Sequence, residues 1–246
     1  MKNIAADQQF IGDNDWEPPI YDTSRSVTID PAVLTANKCV CIDQHSSEIE
    51  YYKIVRTQIL HKMKDKGWKT LMVTSALPGE GKTLTAINLA LTFARAFNQT
   101  VLLVDMDFKQ QAVHRVMSYE SDIGLIDHLV DDRPIHDLIV WPGIDKLTVI
   151  SGGRTVHDSA EFLGSPRMRG VAGQMRERYQ DRYIIYDMPP LIGRADALAF
   201  SSMVDCVLMV VRACSTPSAD INAALELIPK EKVLGFVLNR FPSATY

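Results

Sequence analysis

Residues 74–83, TSALPGEGKT, restrict this chain more than any other stretch of it. A short apolar run over 70–74 leads in, and an apolar helical pattern over 83–97 leads out. A strand that turns through two glycines and a Lys-Thr pair into a helix is a phosphate-binding loop in its proper setting. Gly79 and Gly81 let the backbone point successive N–H groups inward. The start of the helix aims its positive pole at the same anion. Lys82 is expected to reach the β- and γ-phosphates of a nucleotide, and the Thr83 hydroxyl to bind Mg2+. The commonest form of the motif has Gly six residues before the Lys; here Ala76 stands there.

The rest of the chain supplies a sheet to carry that loop. Apolar runs over 101–105, 147–150, 183–187, 206–211 and 232–238 alternate with helical stretches such as 166–179 and 218–227. Strands alternating with helices imply parallel pairing with right-handed crossovers. Strands apolar throughout are expected to be buried on both faces. The fold expected is therefore α/β, one doubly wound, mostly parallel sheet with its ligand at the C-terminal strand ends. Ahead of it lies a helix beginning near Ser47, where Ser47 and Glu50 form a capping box. Ile49, Tyr52, Val55, Ile59 and Met63 make its apolar face, and Gly67 its stop.

Two further strand ends carry acid. The second core strand runs into Asp105-Met106-Asp107, two carboxylates on one side of an extended chain. Such a pair can hold Mg2+ through water and accept a proton from an attacking hydroxyl. The strand over 183–187 closes on Asp187 before Pro189 and Pro190, the usual second anchor of nucleotide-bound Mg2+.

Composition narrows the class. The chain has 246 residues, 46% hydrophobic and 23% charged, with a formal charge of −4. That excludes a disordered or fibrous chain and a whole-surface nucleic-acid footprint, so no nucleic-acid partner is expected. Cys39, Cys41, Cys206 and Cys214 are too few and too irregular for a disulfide scaffold or zinc site. The polar, acidic start is not a signal peptide, and no apolar run approaches the ~18 residues of a membrane span. A cytoplasmic protein is expected, brought to a membrane only by something else. Residues 1–45 are expected to be a partly flexible extension, 46–241 the nucleotide-binding domain and 242–246 a tail.

TSALPGEGKT, VDMDFK (104–109) and YDMPP (186–190) together resemble the Walker A, Walker A′ and Walker B motifs of the bacterial protein-tyrosine kinases. The likeness runs from about Ser46 to Phe241 and includes Glu50, Lys53 and Arg56 on the early helix, EFLGSPRM (161–168), DALAF (196–200) and VLGFVLNR (233–240). It implies the P-loop NTPase fold shared with partition and septum-site ATPases. It further implies an ATP- and Mg2+-dependent tyrosine autokinase tied to capsule and exopolysaccharide synthesis and export. Pro78, Gly79, Glu80, Gly81, Lys82, Thr83 and Leu84 would form the nucleotide loop, with Asn239 at the adenine. Lys82 and the loop amides would stabilise the transferring phosphoryl group. Thr83, Asp105 and Asp187 would organise Mg2+, and Asp107 or Asp105 would orient or deprotonate the tyrosine hydroxyl. The helix bearing Glu50, Lys53 and Arg56 would pack one subunit on the next, so that a tyrosine tail enters the neighbour's site. A membrane polysaccharide chain-length regulator would be the activator, holding the chain at the inner face of the membrane.

Three positions depart from the family pattern. Lys109 ends the Walker A′ motif where Arg is usual, Lys53 stands where Arg is typical, and Tyr246 is a single tyrosine where a cluster is usual. Two other readings fit the motifs: a partition-type ATPase switch, and a nucleotide-binding scaffold without turnover. Arg154 and Arg194 are read as exposed arginines rather than phosphate contacts, and Asn88 as a packing or capping residue.

Overall fold

The computed structural model describes residues 24–43, 45–96 and 98–241. Eight strands form one sheet: β1 (Arg25–Ser26), β2 (Thr70–Ser75), β3 (Thr100–Asp105), β4 (Ile139–Trp141), β5 (Leu147–Ile150), β6 (Arg182–Asp187), β7 (Cys206–Arg212) and β8 (Val233–Asn239). Their order is β1-β4-β5-β3-β6-β2-β7-β8. Every neighbouring pair is parallel except β4 with β5. The helices are α1 (Pro31–Ala36), α2 (Ile49–Asp65), α3 (Lys82–Ala94), α4 (Val113–Val116), α5 (Leu125–Asp131), α6 (Ser159–Gly164), α7 (Pro166–Glu177), α8 (Asp196–Ser201) and α9 (Ser218–Glu226).

The two faces of the sheet explain the continuous apolar runs. Side chains alternate across a strand. Leu71, Val73, Val101, Leu103 and Ile185 pack on one side with α2 and α3. Met72, Leu102, Val104, Ile184 and Tyr186 pack on the other with α5, α6, α7 and α8. The doubly wound α/β architecture expected from the sequence is the one observed. Where local chemistry is strong, element ends follow it. Ser165 caps α7 by accepting from the Met168 N–H at 3.1 Å, with Pro166 in the first turn. Gly67 ends α2 in the left-handed region at φ 65°. The helix expected over 83–97 ends at Ala94; Phe97 lies outside the described residues.

Two expectations need correction. Ser47 and Glu50 do not form a capping box: both Ser46 and Ser47 hydroxyls donate to the Glu48 carboxylate, and Glu50 pairs with Lys53 at 2.6 Å. Strand β8 is apolar but not buried on both faces. It lies at the sheet edge, with Phe236 and Leu238 exposed. The described part of the N-terminal segment, residues 24–43, packs against the rest of the chain. Strand β1 pairs with β4, and Leu34, Cys39 and Cys41 enter the core. Asn88 makes that docking: its Oδ1 accepts from the Cys41 N–H at 3.0 Å, and its Nδ2 donates to the Lys38 and Leu84 carbonyls. Among the described residues, no helix is long and apolar enough to cross a membrane.

Candidate active site

The phosphate loop leaves β2 at the centre of the sheet and enters α3. Gly79 and Gly81 take φ of 79° and 95°, where a side chain is strained. Gly81 answers a second demand as well. A Cβ there would fall 2.1 Å from Asn239 Nδ2, so any other residue would displace that amide. That same Nδ2 donates to the Glu80 carbonyl at 2.8 Å. Asn239, expected at an adenine, is thus placed against the loop backbone.

Glu80 turns its side chain into the domain. Its carboxylate accepts from the Leu77 N–H at 2.8 Å, from the Arg212 N–H at 3.3 Å and from the Thr216 hydroxyl. The loop is thereby tied to the turn after β7, with Glu80 acting as a brace and leaving backbone amides to face an anion. Pro78 and Gly79 form the exposed rim of the loop, while Leu84 packs its side chain against the α2–α3 core.

The carboxylates meet beside it. Strands β3, β6 and β2 are neighbours in that order, and Asp105 is registered opposite Asp187, which is opposite Val73. Asp105 Oδ1 accepts from the Asp107 N–H at 3.1 Å, and its Oδ2 from the Ala112 and Val113 N–H groups at 3.0 Å each. Asp105 therefore fixes the turn after β3 and the start of α4. Asp187 is different: both carboxylate oxygens are buried with no hydrogen-bond partner among the described residues. Burial pushes both carboxyls above the usual range. At Asp105 the backbone donors Val113, Asp107 and Ala112 oppose the rise, and at Asp187 the nearby Lys82 ammonium and Thr83 hydroxyl do.

A buried carboxylate with unsatisfied oxygens is costly unless a cation joins it. Asp187 beside Thr83 and Lys82 fits a divalent ion that takes its remaining ligands from phosphate and water, as Mg2+ does in nucleotide sites. Among the described residues no group of three or more His, Cys, Asp or Glu side chains is placed to hold a metal ion.

Asp107 lies between two cations. Its Oδ2 is 3.6 Å from Lys82 Nζ and its Oδ1 accepts from Arg194 Nη1 at 2.8 Å. Arg194 is the site residue that sequence reasoning missed. Its side chain is only 20% exposed, not a free surface arginine. Arg154 sits away from this cluster, paired with Asp131 at 2.9 Å and facing Asp127. On α2, Lys53 pairs with Glu50, and Arg56 donates to the Thr92 carbonyl at 3.0 Å, tying α2 to α3. Tyr246 lies outside the described residues.

Residues 68–229 match the family model described as an AAA domain. The chain is 31% identical over 205 residues to the tyrosine-protein kinase YwqD of Bacillus subtilis (strain 168), covering 82% of this chain and 85% of YwqD. It is 30% identical over 183 residues to the succinoglycan biosynthesis transport protein ExoP of Rhizobium meliloti (strain 1021), covering 70% of this chain but 22% of ExoP. Among solved structures, the chimerical protein CapA2B2 superposes with a TM-score of 0.75 at 26% identity, over 92% of this chain and 95% of that one. The septum site-determining protein MinD of Pyrococcus horikoshii OT3 shares the fold, with a TM-score of 0.58 at 20% identity over 72% of each chain.

Proposed function

The chain belongs to the bacterial protein-tyrosine kinases, and on that premise we propose that it transfers the γ-phosphoryl group of Mg·ATP to tyrosine at the meeting point of β2, β3 and β6. The reading rests on one observation above the rest: Lys82, Asp107 and the unsatisfied Asp187 converge beside the phosphate loop. Bound Mg·ATP supplies the phosphoryl group and a cation that neutralises its charge.

The chain's own residues do the remainder. The loop amides and the α3 N-terminus hold phosphate oxygens, and Lys82 turns its ammonium to the β- and γ-phosphates. Asp187 and the Thr83 hydroxyl would hold Mg2+, with Asp105 behind them fixing the turn that carries Asp107. Between Asp105 and Asp107, the second suits the role of base. Asp105 is engaged by three backbone N–H groups, whereas Asp107 takes one, from Gln110, and otherwise faces the Lys82 and Arg194 side chains. Catalysis is then largely positioning and charge stabilisation. Asn239 serves the site by buttressing the loop.

In this reading residues 46–241 make up the kinase unit, 1–45 lead into it and 242–246 carry the candidate acceptor Tyr246. The chain acts in capsule or exopolysaccharide synthesis and export, as a homo-oligomer assembled through the α2 face around Glu50 and Lys53. A membrane chain-length regulator activates it at the inner face of the membrane.

Intact mass and phosphotyrosine blotting after incubation with Mg·ATP test this. An added ~80 Da that is lost in Lys82→Met supports transfer to the chain. Loss in Tyr246→Phe assigns the acceptor. ADP release with no phosphotyrosine on the chain or on a Glu-Tyr copolymer would favour an ATPase switch and refute the kinase reading.

A further inference from the structure

We propose that Arg194 is a positioning residue for phosphoryl transfer, holding Asp107 in the pocket once Lys82 has left it for the nucleotide. The inference rests on the kinase reading above.

Asp107 is bridged on both sides. Oδ1 accepts from Arg194 Nη1 at 2.8 Å and from the Gln110 N–H at 3.0 Å, while Oδ2 lies 3.6 Å from Lys82 Nζ. The two cations are unequal: the Arg194 contact is a short, directed hydrogen bond, whereas the Lys82 contact is a looser charge pair. Lys82 must turn to phosphate to act, so the contact it gives up is the one to Asp107. With Lys82 alone, the carboxylate would have two courses. It could follow the ammonium and compete with phosphate for it, or it could swing out to water. Arg194 closes both courses. Its guanidinium stays charged and planar, and it fixes Oδ1 while leaving Oδ2 for an acceptor hydroxyl.

The backbone is built to hold Arg194 there. The exit from β6 is laced to the phosphate loop, with the Leu191 N–H donating to the Ser75 carbonyl at 2.9 Å and the Ile192 N–H to the Ala76 carbonyl at 3.1 Å. Gly193 then turns at φ 81°, and α8 begins at Asp196, which is bonded to the Ser159 hydroxyl. Arg194 sits between two anchored points and approaches Asp107 from the β6 side, seven positions after Asp187 in the chain. In the transfer, the tyrosine oxygen bonds to phosphorus as the bond from phosphorus to the β,γ-bridging oxygen breaks. ADP leaves with that electron pair, and the phenolic proton passes to Asp107 Oδ2.

The test uses the full chain, Mg·ATP, a Glu-Tyr copolymer as acceptor and a fluorescent ADP analogue for affinity. Arg194→Met is expected to lower kcat roughly 10- to 100-fold, the size expected for a misplaced catalytic group. Its Kd for the ADP analogue should stay within about 3-fold, since Arg194 acts on Asp107 rather than on the nucleotide. Arg194→Lys should recover part of the loss, and Arg194→Met combined with Asp107→Asn should be no slower than Asp107→Asn alone. If wild type transfers and Arg194→Met is within about 2-fold of it, the proposal fails while the kinase reading stands. Loss of ADP-analogue binding along with transfer overturns it too, because the arginine is then a phosphate or folding residue. A wild type that makes ADP but no phosphotyrosine removes the kinase reading and this inference with it.

Discussion

Replacing Gly81 with Ala strikes the phosphate loop where two demands meet. The residue lies at φ 95° and ψ 21°, a region that costs a residue with a Cβ about 1–2 kcal/mol. The new methyl carbon would stand 2.1 Å from Asn239 Nδ2 and 3.3 Å from its Cγ, so the amide must leave. Its departure breaks the 2.8 Å hydrogen bond to the Glu80 carbonyl, worth about 1 kcal/mol. The expected loss is about 2–3 kcal/mol, read as a fall in Tm of roughly 5–10 °C for a domain of this size. Urea unfolding with and without Mg·ADP measures it. The clash has its own signature in a double-mutant cycle. Asn239→Ala alone should cost about 1 kcal/mol, and Gly81→Ala with Asn239→Ala should cost about 1 kcal/mol less than the sum, because the first change already breaks the bond. Strictly additive costs, or a Gly81→Ala chain within about 0.5 kcal/mol of wild type, would refute the argument from close approach.

Three further outcomes follow from the described geometry. Asp187→Asn should raise the Tm of the nucleotide-free chain by a few degrees while abolishing the Mg2+-dependent part of nucleotide stabilisation, since it removes a buried charge that only a cation satisfies. Burial raises this carboxyl from 3.8 to about 7, so the stability it contributes is present below 3.8 and lost as pH rises through about 7. The advantage of Asn should therefore be larger near pH ~8 than near pH ~5, and calorimetry showing the reverse would refute the assignment. Lys232→Met should lower stability by about 1–3 kcal/mol without changing nucleotide affinity, because its ammonium donates to the Ser201, Ser202 and Val204 carbonyls at 3.0, 2.8 and 2.8 Å, at the end of α8 and far from the loop. Ellman's reagent near pH ~8 should titrate one thiol quickly, the exposed Cys214; burial pushes Cys39, Cys41 and Cys206 up to about 12, and fast reaction of a second thiol would contradict their burial.

The parts legible in the sequence are those whose cause is local. Two glycines before Lys82, an acid at the end of an apolar run and continuous apolar strands each carry their structural reason within a few residues. Loop, strands and carboxylates follow from that pattern. The parts not legible depend on contacts across the chain. Glu80 reads as one more loop residue until Arg212 and Thr216 come to meet it. Arg194 reads as a surface arginine until β6 and β3 lie side by side and bring Asp107 within 2.8 Å. Residues 24–43 look aperiodic because Leu34, Cys39 and Cys41 are buried one at a time, with no repeating face. Serines ahead of α2 matched a capping pattern, but Glu48, adjacent in sequence, captured both hydroxyls first. Strand β8 has the composition of an inner strand, and only topology makes it an edge.

The bond from Asn239 back to Glu80 spans 159 positions of chain. A ribosome emitting this polypeptide delivers the glycine-rich turn well before its clasp. Nascent fragments that stop short of β8 should therefore grip nucleotide poorly, which makes tight binding a marker of a docked β8.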